Sequence, residues 1–406
     1  MRKRLFVLLG AASLVAGMAA VPAVASAAPH PTTVYHAPVA GPYKAVCQVS
    51  HSSKWAGCFA MVHTNAKGQP EVFPYQTGYG PQQLHTAYDL PNTTEASGTQ
   101  TIAVVDAGSL PDIANDIATY DSAFGLPTFN QCKSKTQLHC WAEVNQNGSV
   151  NNLPPPVPGW TLEASLDVEM AHAICPNCRV VMMAANSQSL SDLSTAVNTA
   201  AARGATEISN SYGYFGEDCT QSGYNHPGIA VTVAAQDDGH GLDCPAPLNT
   251  VVSVGGTSLH LTSGGQYSSE SVWSGTGGGC STLNKAQPWQ LSAANWSTIG
   301  CGNGRGENDV SAVADPNTGV AVYDQYDGGW FQVGGTSVAT PLIAGVYALA
   351  GNASSVSYPA ELAYENVSQL HDITTGNDGS CGVQCNGLVG YDLPTGVGSP
   401  DGLGGF

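Results

Sequence analysis

Short apolar runs alternate along most of the chain with longer segments in which apolar residues recur at helical spacing. The short runs predict buried strands, and the longer segments predict helices with one or more buried faces. The predicted strands are 101–108, 179–185, 207–213, 229–236 and 251–256, and the predicted helices are 110–125, 159–174, 190–204 and 337–351. This alternation is typical of a doubly wound α/β fold around a parallel sheet, in which sites form beyond the carboxyl ends of the strands.

The apolar pattern at the N-terminus differs from the rest. Basic residues at 2–4 precede an apolar run that ends in Ala-Ser-Ala, which is the arrangement of a secretory signal peptide. A membrane anchor is the alternative, but Gly and Pro interrupt the run. We expect a signal peptide at 1–27, a short N-terminal extension or reduced pro-region at 28–76, and a single large domain at 77–406. No other apolar stretch is long enough to span a bilayer, so we expect a secreted chain with no membrane partner.

The chain has twelve cysteines, an even number that suits the oxidising compartment of an exported protein. We expect near neighbours to pair, although sequence alone does not fix the connectivity. The expected pairs are Cys47 with Cys58, Cys132 with Cys140, Cys175 with Cys178, Cys219 with Cys244, Cys280 with Cys301, and Cys381 with Cys385. Cys175 and Cys178 form a motif that also occurs in redox and zinc sites, but a second such motif is missing, which favours a structural disulfide.

The formal net charge is −18, yet only 10% of the residues are charged. An acidic surface argues against nucleic acid and anionic membranes as partners. A low density of charged residues also predicts few buried ion pairs. Protonating the carboxylates would then remove little native stability, which suits an acidic medium.

Two acids lie four residues apart on the predicted helix 159–174. Glu163 and Asp167 therefore share a face, and an apolar stripe of Leu and Met lies beside them. Like charges at this spacing cost about 0.2–0.5 kcal/mol. The pair is either an ordinary solvated acidic face or a functional pair that looks into the protein.

A candidate nucleophile opens the predicted helix 337–351. Ser337 follows Gly-Gly-Thr and precedes an apolar run, which places a hydroxyl at a helix N-terminus. The histidine base that usually activates such a serine is not evident. His139 lies in a loop, His172 lies inside a helix, and the other histidines lack a suitable setting. A further acid, Asp237, ends the predicted strand 229–236, where a protonated carboxyl could donate to an oxyanion.

Four motifs together resemble the sedolisins, serine-carboxyl peptidases that are built on a subtilisin-like fold. They are EASLD at 163–167, AAQDDG at 234–239, GGTSVATP at 334–341, and the pair HDITTG at 371–376 with GYDLPTGVG at 390–398. The serine motif alone is moderately specific, whereas the ordered set is highly specific. The resemblance covers roughly four fifths of the chain and implies a subtilisin-like catalytic domain.

The resemblance implies a role for each matching residue. Ser337 is expected to be the nucleophile, and Glu163 its general base and later the acid toward the leaving amine. Asp167 would support Glu163, and Asp237 would be the oxyanion donor. Asp106, at the end of the first predicted strand, would share protons with the Glu–Asp pair. Because a carboxylate base has a pKa near 4, we expect activity at roughly pH 3–5.

The resemblance also implies a calcium site near the C-terminus. Hard oxygen ligands of this kind suit calcium. The expected ligands are the carboxylates of Asp372 and Asp392 and the main-chain carbonyls of Ile373, Leu388 and Gly390.

The chain departs from the family pattern in two places. The oxyanion segment has Gln-Asp-Asp-Gly at 236–239, where relatives have Gly-Asp-Ser-Gly, so Asp238 adds a second acid. A like charge there would raise the pKa of Asp237. The stretch before the catalytic domain is also much shorter than the family's propeptide. The motif SNSYG at 209–213 is expected to lie along the substrate as an edge strand.

The favoured interpretation is a secreted, monomeric, acid-active endopeptidase that acts on protein or peptide substrates. A neutral subtilisin-type peptidase with an unrecognised histidine is disfavoured. A non-catalytic secreted binding protein on a peptidase-like fold is the main alternative, although all the catalytic positions are filled. The sequence leaves open the cleavage preference and the choice between endopeptidase and tripeptidyl-peptidase action.

Overall fold

The computed structural model describes residues 35–48, 54–93, 100–219 and 223–406, so the predicted signal peptide lies outside the described residues. The helices in this part of the chain are α1 Pro81–Ala87, α2 Ile113–Phe124, α3 Trp160–Ile174, α4 Leu190–Ala202, α5 Pro288–Leu291, α6 Trp296–Ile299, α7 Thr336–Ala350 and α8 Ala360–Glu365. The strands of the first half are β1 Tyr43–Ala45, β2 Gly57–Cys58, β3 Met61–His63, β4 Thr101–Ala107, β5 Asn130–Gln131, β6 Cys140–Asn145, β7 Arg179–Ala185, β8 Glu207–Asn210 and β9 Tyr212–Phe215. Those that follow are β10 Ala230–Ala234, β11 Asp243–Cys244, β12 Val252–Leu261, β13 Tyr267–Val272, β14 Cys280–Lys285, β15 Gly304–Gly306, β16 Val310–Val313, β17 Val320–Asp324, β18 Gly329–Gly334, β19 Leu370–His371 and β20 Ser399–Pro400.

A nine-stranded sheet forms the centre of the fold. Its strand order is β13-β12-β10-β8-β4-β7-β6-β5, and β16 also pairs with β12. Every pairing is parallel except that of β12 with the edge strand β13. The predicted doubly wound parallel α/β fold is therefore confirmed, with one antiparallel edge. The predicted strand 207–213 is interrupted at Ser211, where the chain leaves the central sheet and continues as β9 in a small sheet.

Both faces of the central sheet are covered, which explains why its strands are continuously apolar. Along β4, Ile102 and Val104 pack into the core on one face, which includes α3 and α7. Ala103 and Val105 pack into the core on the other face, which includes α4. Since side chains alternate along a strand, Asp106 points to the face that carries α3 and α7.

The two central helices, α3 and α7, pack closely against each other. All the residues of both helices are buried. A Cβ added at Gly345 would lie 2.7 Å from the Cβ of Ile174, so the helices approach where one of them has no side chain. This contact fixes the helix with the two acids against the helix that begins beside the candidate nucleophile.

The described part of the N-terminal extension, from Tyr35 onward, belongs to the same compact unit as the rest of the described chain. Strand β3 lies between β1 and β18 in a four-stranded antiparallel sheet completed by β17. Strand β2 pairs with β9 in a separate small sheet with β11. The extension therefore joins one small sheet just before Phe59, through β2, and a different sheet just after Ala60, through β3.

Six disulfides join the cysteines that are neighbours in sequence, as predicted. Cys175 and Cys178 are bonded to each other, which confirms the structural interpretation of that motif. Within the described part of the chain, no helix has both the length and the apolar character needed to cross a membrane.

Candidate active site

The acid pair on α3 faces the interior. Glu163 and Asp167 both have no exposed surface, so the interpretation as a solvated acidic face is wrong. The helix is buried on every side, not only along the predicted apolar stripe. Asp167 Oδ1 accepts a hydrogen bond of 2.9 Å from Ser211 Oγ. Among the described residues, neither oxygen of Glu163 has a hydrogen-bond partner of normal geometry. The Ser337 hydroxyl and the Ala60 N–H nevertheless lie beside this carboxyl.

Burial and mutual repulsion disfavour the charged forms of these carboxyls. Burial is the main cause that raises the pKa of Glu163 and of Asp167, and the nearby carboxyl of Asp106 raises both further. Burial also raises the pKa of Asp106 to about 8. Since the three groups interact, they titrate together and share fewer than three charges near neutral pH. The structure thus brings Asp106 to the Glu–Asp pair, as the sequence predicted.

Ser337 lies in the first turn of α7. Its Oγ donates a hydrogen bond of 3.2 Å to the carbonyl oxygen of Ser211, and it also lies beside the Glu163 carboxyl, whose pKa it lowers. Pro341 cannot donate to the Ser337 carbonyl as the regular helix pattern requires, and that oxygen accepts instead from Ser211 Oγ at 3.5 Å. In the described part of the chain, Ser337 makes no hydrogen bond to a histidine.

The histidines are engaged elsewhere. His172 Nε2 contacts Asp121 Oδ1 at 2.8 Å in the buried interior. The two ring nitrogens of His139 face the main-chain oxygens of Pro176 and Thr128. Neither histidine therefore contacts Ser337, in agreement with the prediction that neither has a suitable setting for its base.

Asp237 follows β10 and reaches the start of α7. Its Oδ1 accepts from the main-chain N–H of Thr336 at 2.8 Å and from Thr336 Oγ1 at 2.9 Å. Its Oδ2 is buried and has no hydrogen-bond partner among the described residues. Burial raises the pKa of Asp237 well above its ordinary range, and the charge of Asp238 raises it further. A protonated Oδ2 would therefore be free to donate.

The turn before Asp237 selects which of the two adjacent acids enters the site. Gln236 has a φ of 73°, in the left-handed region that few non-glycine residues adopt. Its side chain holds this turn by accepting from the N–H of Asp238 and donating to the Gly239 carbonyl, both at 2.6 Å. Asp237 is consequently buried while Asp238 is exposed.

The sequence analysis missed one component of this site, the cleft segment, which we define as residues 57–63. In it, β2 pairs antiparallel with β9, and the N–H of Phe59 donates to the Ser211 carbonyl at 3.1 Å. The Phe59 carbonyl accepts from the N–H of Ser337 at 3.4 Å. The N–H of the next residue, Ala60, faces the Glu163 carboxyl and lowers its pKa. In the sequence, this segment is marked only by the mainly apolar run CFAMVH at 58–63. The run begins at Cys58, which is bonded to Cys47.

Gly335 creates the space that the Phe59 carbonyl occupies. It has a φ of 95°, and a Cβ there would lie 2.0 Å from the Phe59 oxygen and 2.5 Å from Asp237 Oδ2. Both oxygens therefore lie against the same point of the main chain. One carbonyl oxygen is flanked by the Ser337 N–H and the Asp237 carboxyl, which is the arrangement of an oxyanion site.

The predicted calcium ligands come together in one loop region. Both oxygens of Asp372 accept from the N–H of Gly390, at 3.1 and 3.0 Å. Asp392 Oδ2 accepts from the N–H of Leu388 at 2.9 Å. The Ile373 carbonyl lies in the same loop, against Gly387.

The electrostatics of this loop fit a divalent cation. Burial raises the pKa of Asp392 to about 7, and repulsion from Asp372 adds to the rise. Carboxylate and carbonyl oxygens are the ligands that calcium prefers, and a cation between the two acids would remove their repulsion.

The central sheet, the two packed helices and the serine at the start of α7 define a doubly wound α/β protein of the kind that carries hydrolytic sites. A family model described as the subtilase family matches residues 145–378, more than half of the chain. The chain therefore belongs to the subtilase family, and its resemblance to the sedolisins is confirmed by the similarities that follow.

Two curated relatives and one solved structure show the similarity. Sedolisin of Pseudomonas sp. (strain 101) is 28% identical over 80% of this chain and 60% of that protein. Kumamolisin of Bacillus sp. (strain MN-32) is 30% identical over 80% of this chain and 63% of that protein. The chain thus spans about 60% of the length of these relatives. The structure of Pseudomonas sedolisin, a serine-carboxyl proteinase complexed with two molecules of pseudo-iodotyrostatin, matches with a TM-score of 0.65 at 26% identity, and the match covers 80% of this chain and 96% of that chain.

We predict that the Asp106→Asn variant loses less folding stability than the parent as pH rises. The folded-state pKa of Asp106, about 8, lies above the ordinary value of 3.8. Below about pH 4 the group is protonated in both states, and between about pH 4 and 8 only the folded state keeps the proton, so stability falls as pH rises. The Asn variant should gain on the parent by on the order of a few kcal/mol across this window.

Urea unfolding of the two proteins at intervals from pH 3 to pH 8 measures this difference. Asp218→Asn removes an exposed acid and serves as the control, with an unchanged pH profile. Parallel profiles for the parent and Asp106→Asn would show that Asp106 is ionised in the folded protein.

Proposed function

We propose that the chain is an acid-active serine-type endopeptidase that hydrolyses peptide bonds through Ser337, Glu163, Asp167 and Asp237. One observation carries the proposal. The Phe59 carbonyl oxygen lies between the Ser337 N–H and Asp237, while the next N–H along the chain faces Glu163. In a peptide group at this position, the carbonyl oxygen lies beside the Ser337 N–H and Asp237, which can stabilise an oxyanion. Its nitrogen lies beside Glu163, which can protonate the leaving amine.

Ser337 Oγ attacks the carbonyl carbon, and Glu163 accepts the hydroxyl proton as general base. Glu163 then passes that proton to the leaving nitrogen, which lies on its side of the peptide group. Asp167, oriented by Ser211, and Asp106 stabilise the proton on Glu163 by sharing it within the buried cluster. Glutamate thus replaces the histidine that neutral serine peptidases use.

Asp237 supplies the second half of oxyanion stabilisation. Its Oδ1 is held by Thr336, so the proton resides on Oδ2, which faces the carbonyl oxygen. A neutral acid that donates to a developing negative charge needs a pKa above the working pH. Burial and the neighbouring Asp238 provide that rise.

An acidic working pH is supported by the interior as a whole. Among the residues that the structure describes, fourteen buried or largely buried carboxyls have pKa values raised chiefly by burial. They are Asp106, Asp116, Glu143, Glu163, Asp167, Glu169, Glu207, Asp237, Asp243, Glu270, Glu307, Asp324, Asp378 and Asp392. Folded-state pKa values above the unfolded ones make the fold more stable in acid, because the penalty of burying a charge appears only as pH rises.

The cleft segment supports endopeptidase action. Its chain enters the site through β2, passes Ser337 and leaves through β3 alongside β18. A groove that accommodates chain on both sides of the reacting bond is open at both ends. Export is supported by the predicted signal peptide at 1–27 and by the six disulfides, which persist in oxidising compartments.

We also propose that Asp372 and Asp392 hold a calcium ion, with main-chain carbonyls of Ile373, Leu388 and Gly390. Bound to the folded state alone, the ion would stabilise the C-terminal loop region without entering the reaction.

We predict that hydrolysis of an unfolded protein peaks in acid and disappears in Ser337→Ala. A carboxylate base with an ordinary pKa gives an optimum at roughly pH 3–5, and burial, which raises the pKa of Glu163, moves the acidic limb of the pH profile to higher pH. Glu163→Gln, which keeps the shape but removes the base, should lower kcat by about 10²–10⁴-fold.

Hydrolysis of denatured casein from pH 3 to pH 9 measures both effects. Asp218→Asn is the surface control and should match the parent. An optimum above neutrality would assign the base to another residue. Absence of cleavage by folded, calcium-loaded protein at every pH would favour the non-catalytic binding protein.

We predict that calcium raises the thermal midpoint of the parent and that Asp392→Asn abolishes the rise. At a concentration 100 times its Kd, calcium should stabilise the fold by about 2.7 kcal/mol. Thermal unfolding at pH 7 with EDTA, calcium or magnesium measures the shift, and an equal shift in Asp392→Asn would contradict this site.

A further inference from the structure

We propose that four side chains in the loops next to Asp237 form a zinc site that a thiol reductant opens. They are the loop cluster, which we define as His240, Asp378, Cys381 and Cys385. The reductant cleaves the disulfide between the two cysteines, and the four side chains then bind one Zn²⁺. This inference goes beyond the proposed function and does not rest on it.

The donor atoms of the loop cluster lie close enough together to surround one ion. One atom from each of the four residues lies within 4.8 Å of the other three. His240 Nδ1 is 3.7 Å from Asp378 Oδ2, and two such ligands on a tetrahedral zinc ion are roughly 3.4 Å apart. A Cβ added at Gly379 would lie 3.1 Å from Cys385 Sγ and 3.4 Å from the Cβ of His240. The missing side chain of Gly379 therefore lets the sulfur and the imidazole approach each other.

The residue types of the loop cluster suit zinc. Cysteine sulfur, histidine nitrogen and aspartate oxygen are all zinc ligands, and the usual number of such ligands in a structural site is four. Three residues separate Cys381 from Cys385, which lies within the spacing that is common for the paired cysteines of zinc sites. Calcium prefers oxygen ligands alone, so the loop cluster is chemically distinct from the proposed calcium site.

The carboxyl of Asp378 is buried without a partner. Asp378 is 3% exposed, yet neither of its carboxyl oxygens has a hydrogen-bond partner of normal geometry among the described residues. The contact with His240, at 3.7 Å, is too long for a hydrogen bond. Burying a polar group in this way is costly. A cation shared with the imidazole would remove that cost, so Asp378 is the observation that points to a ligand.

A reductant can reach the disulfide of the loop cluster. Cys381 is the only exposed cysteine of the twelve, all of which lie in the part of the chain that the structure describes. Its partner Cys385 is fully buried. Because a thiolate attacks a disulfide sulfur that it can reach, exposure directs the exchange to Cys381. The other five disulfides present no exposed cysteine and should react more slowly.

The chemistry of the switch balances with a thiol as the reductant. One thiolate attacks Cys381 Sγ, which forms a mixed disulfide and releases Cys385 as a thiolate. A second thiol then frees Cys381, so the protein has gained two electrons and two protons and the reductant leaves as a disulfide. Zinc binding returns the two thiol protons to solvent, because the metal takes thiolates, a neutral imidazole and a carboxylate.

Zinc would connect two segments that the disulfide does not join. The disulfide closes only the short loop from Cys381 to Cys385. His240 lies three residues after Asp237, and its main-chain N–H donates to the Asp378 carbonyl oxygen at 3.0 Å. The metal would add a side-chain link at the same place. Reduction followed by zinc binding would thus replace a local cross-link with one that holds the turn after the oxyanion acid.

The test uses the full chain at pH 7 with saturating calcium. Brief treatment with dithiothreitol, which is then removed under argon, should open the bond between Cys381 and Cys385, and peptide mapping after alkylation identifies the cysteines that are free. The reduced chain should bind one Zn²⁺ per molecule, and the untreated chain should bind it at least about tenfold more weakly. Cobalt(II) in place of zinc should give the absorption bands of a tetrahedral thiolate site in the reduced chain alone.

Matched variants assign the ion to the loop cluster. Cys381→Ser/Cys385→Ser should bind zinc no better than the untreated parent, with or without dithiothreitol. His240→Gln and Asp378→Asn, checked for folding by thermal unfolding, should each weaken zinc binding by the reduced chain at least about tenfold. His260→Gln removes an exposed histidine outside the loop cluster and should leave the affinity unchanged.

The remaining outcomes each contradict the inference. A bond between Cys381 and Cys385 that stays closed until the whole chain unfolds would overturn the thiol gate. A folded, reduced chain that binds no zinc would overturn the metal site. Unchanged affinity in both His240→Gln and Asp378→Asn would assign the ion to other residues. Casein hydrolysis by the untreated chain tests the proposed function separately, so the failure of either proposal is recognised without the other.

Discussion

Buried carboxyls around a single serine are the feature on which the rest of the site depends. Glu163, Asp167 and Asp106 lie together on one face of the central sheet, and Asp237 approaches the same serine from the end of β10. Such a cluster is tolerable only if most of its members are neutral, since buried charges that lack partners are costly. The cluster therefore holds and shares protons, and a serine without a histidine needs a carboxyl of this kind to exchange a proton with.

The fold brings these groups together through two close approaches. Gly345 lets α7 contact α3, which sets the serine helix beside Glu163 and Asp167. Gly335 leaves room for a carbonyl oxygen between the Ser337 N–H and Asp237. The rest of the fold maintains these two approaches, because α3 and α7 pack on a sheet that is covered on both faces.

Much of this could be predicted from the sequence, and the remainder has a physical reason. Strand and helix segments were recognisable because their periodicity is local, and Glu163, Asp167, Asp237 and Ser337 were found through local motifs. The cleft segment was missed because its pairing with β9 and β18 joins residues far apart in the chain, which no local pattern reports. Full burial of α3 was also missed, since a helix packed on all sides has no distinctive polar face.

The most direct test of the account is the protonation state of Asp237 in the folded protein. Infrared difference titration of Ser337→Ala against Ser337→Ala/Asp237→Asn would isolate the carboxyl stretching band of this one residue. The account predicts that the band of the protonated acid persists at pH 6, well above the ordinary pKa of an aspartate. Its complete loss by pH 5 would show that Asp237 is an ordinary carboxylate and would contradict an oxyanion site built on a neutral acid.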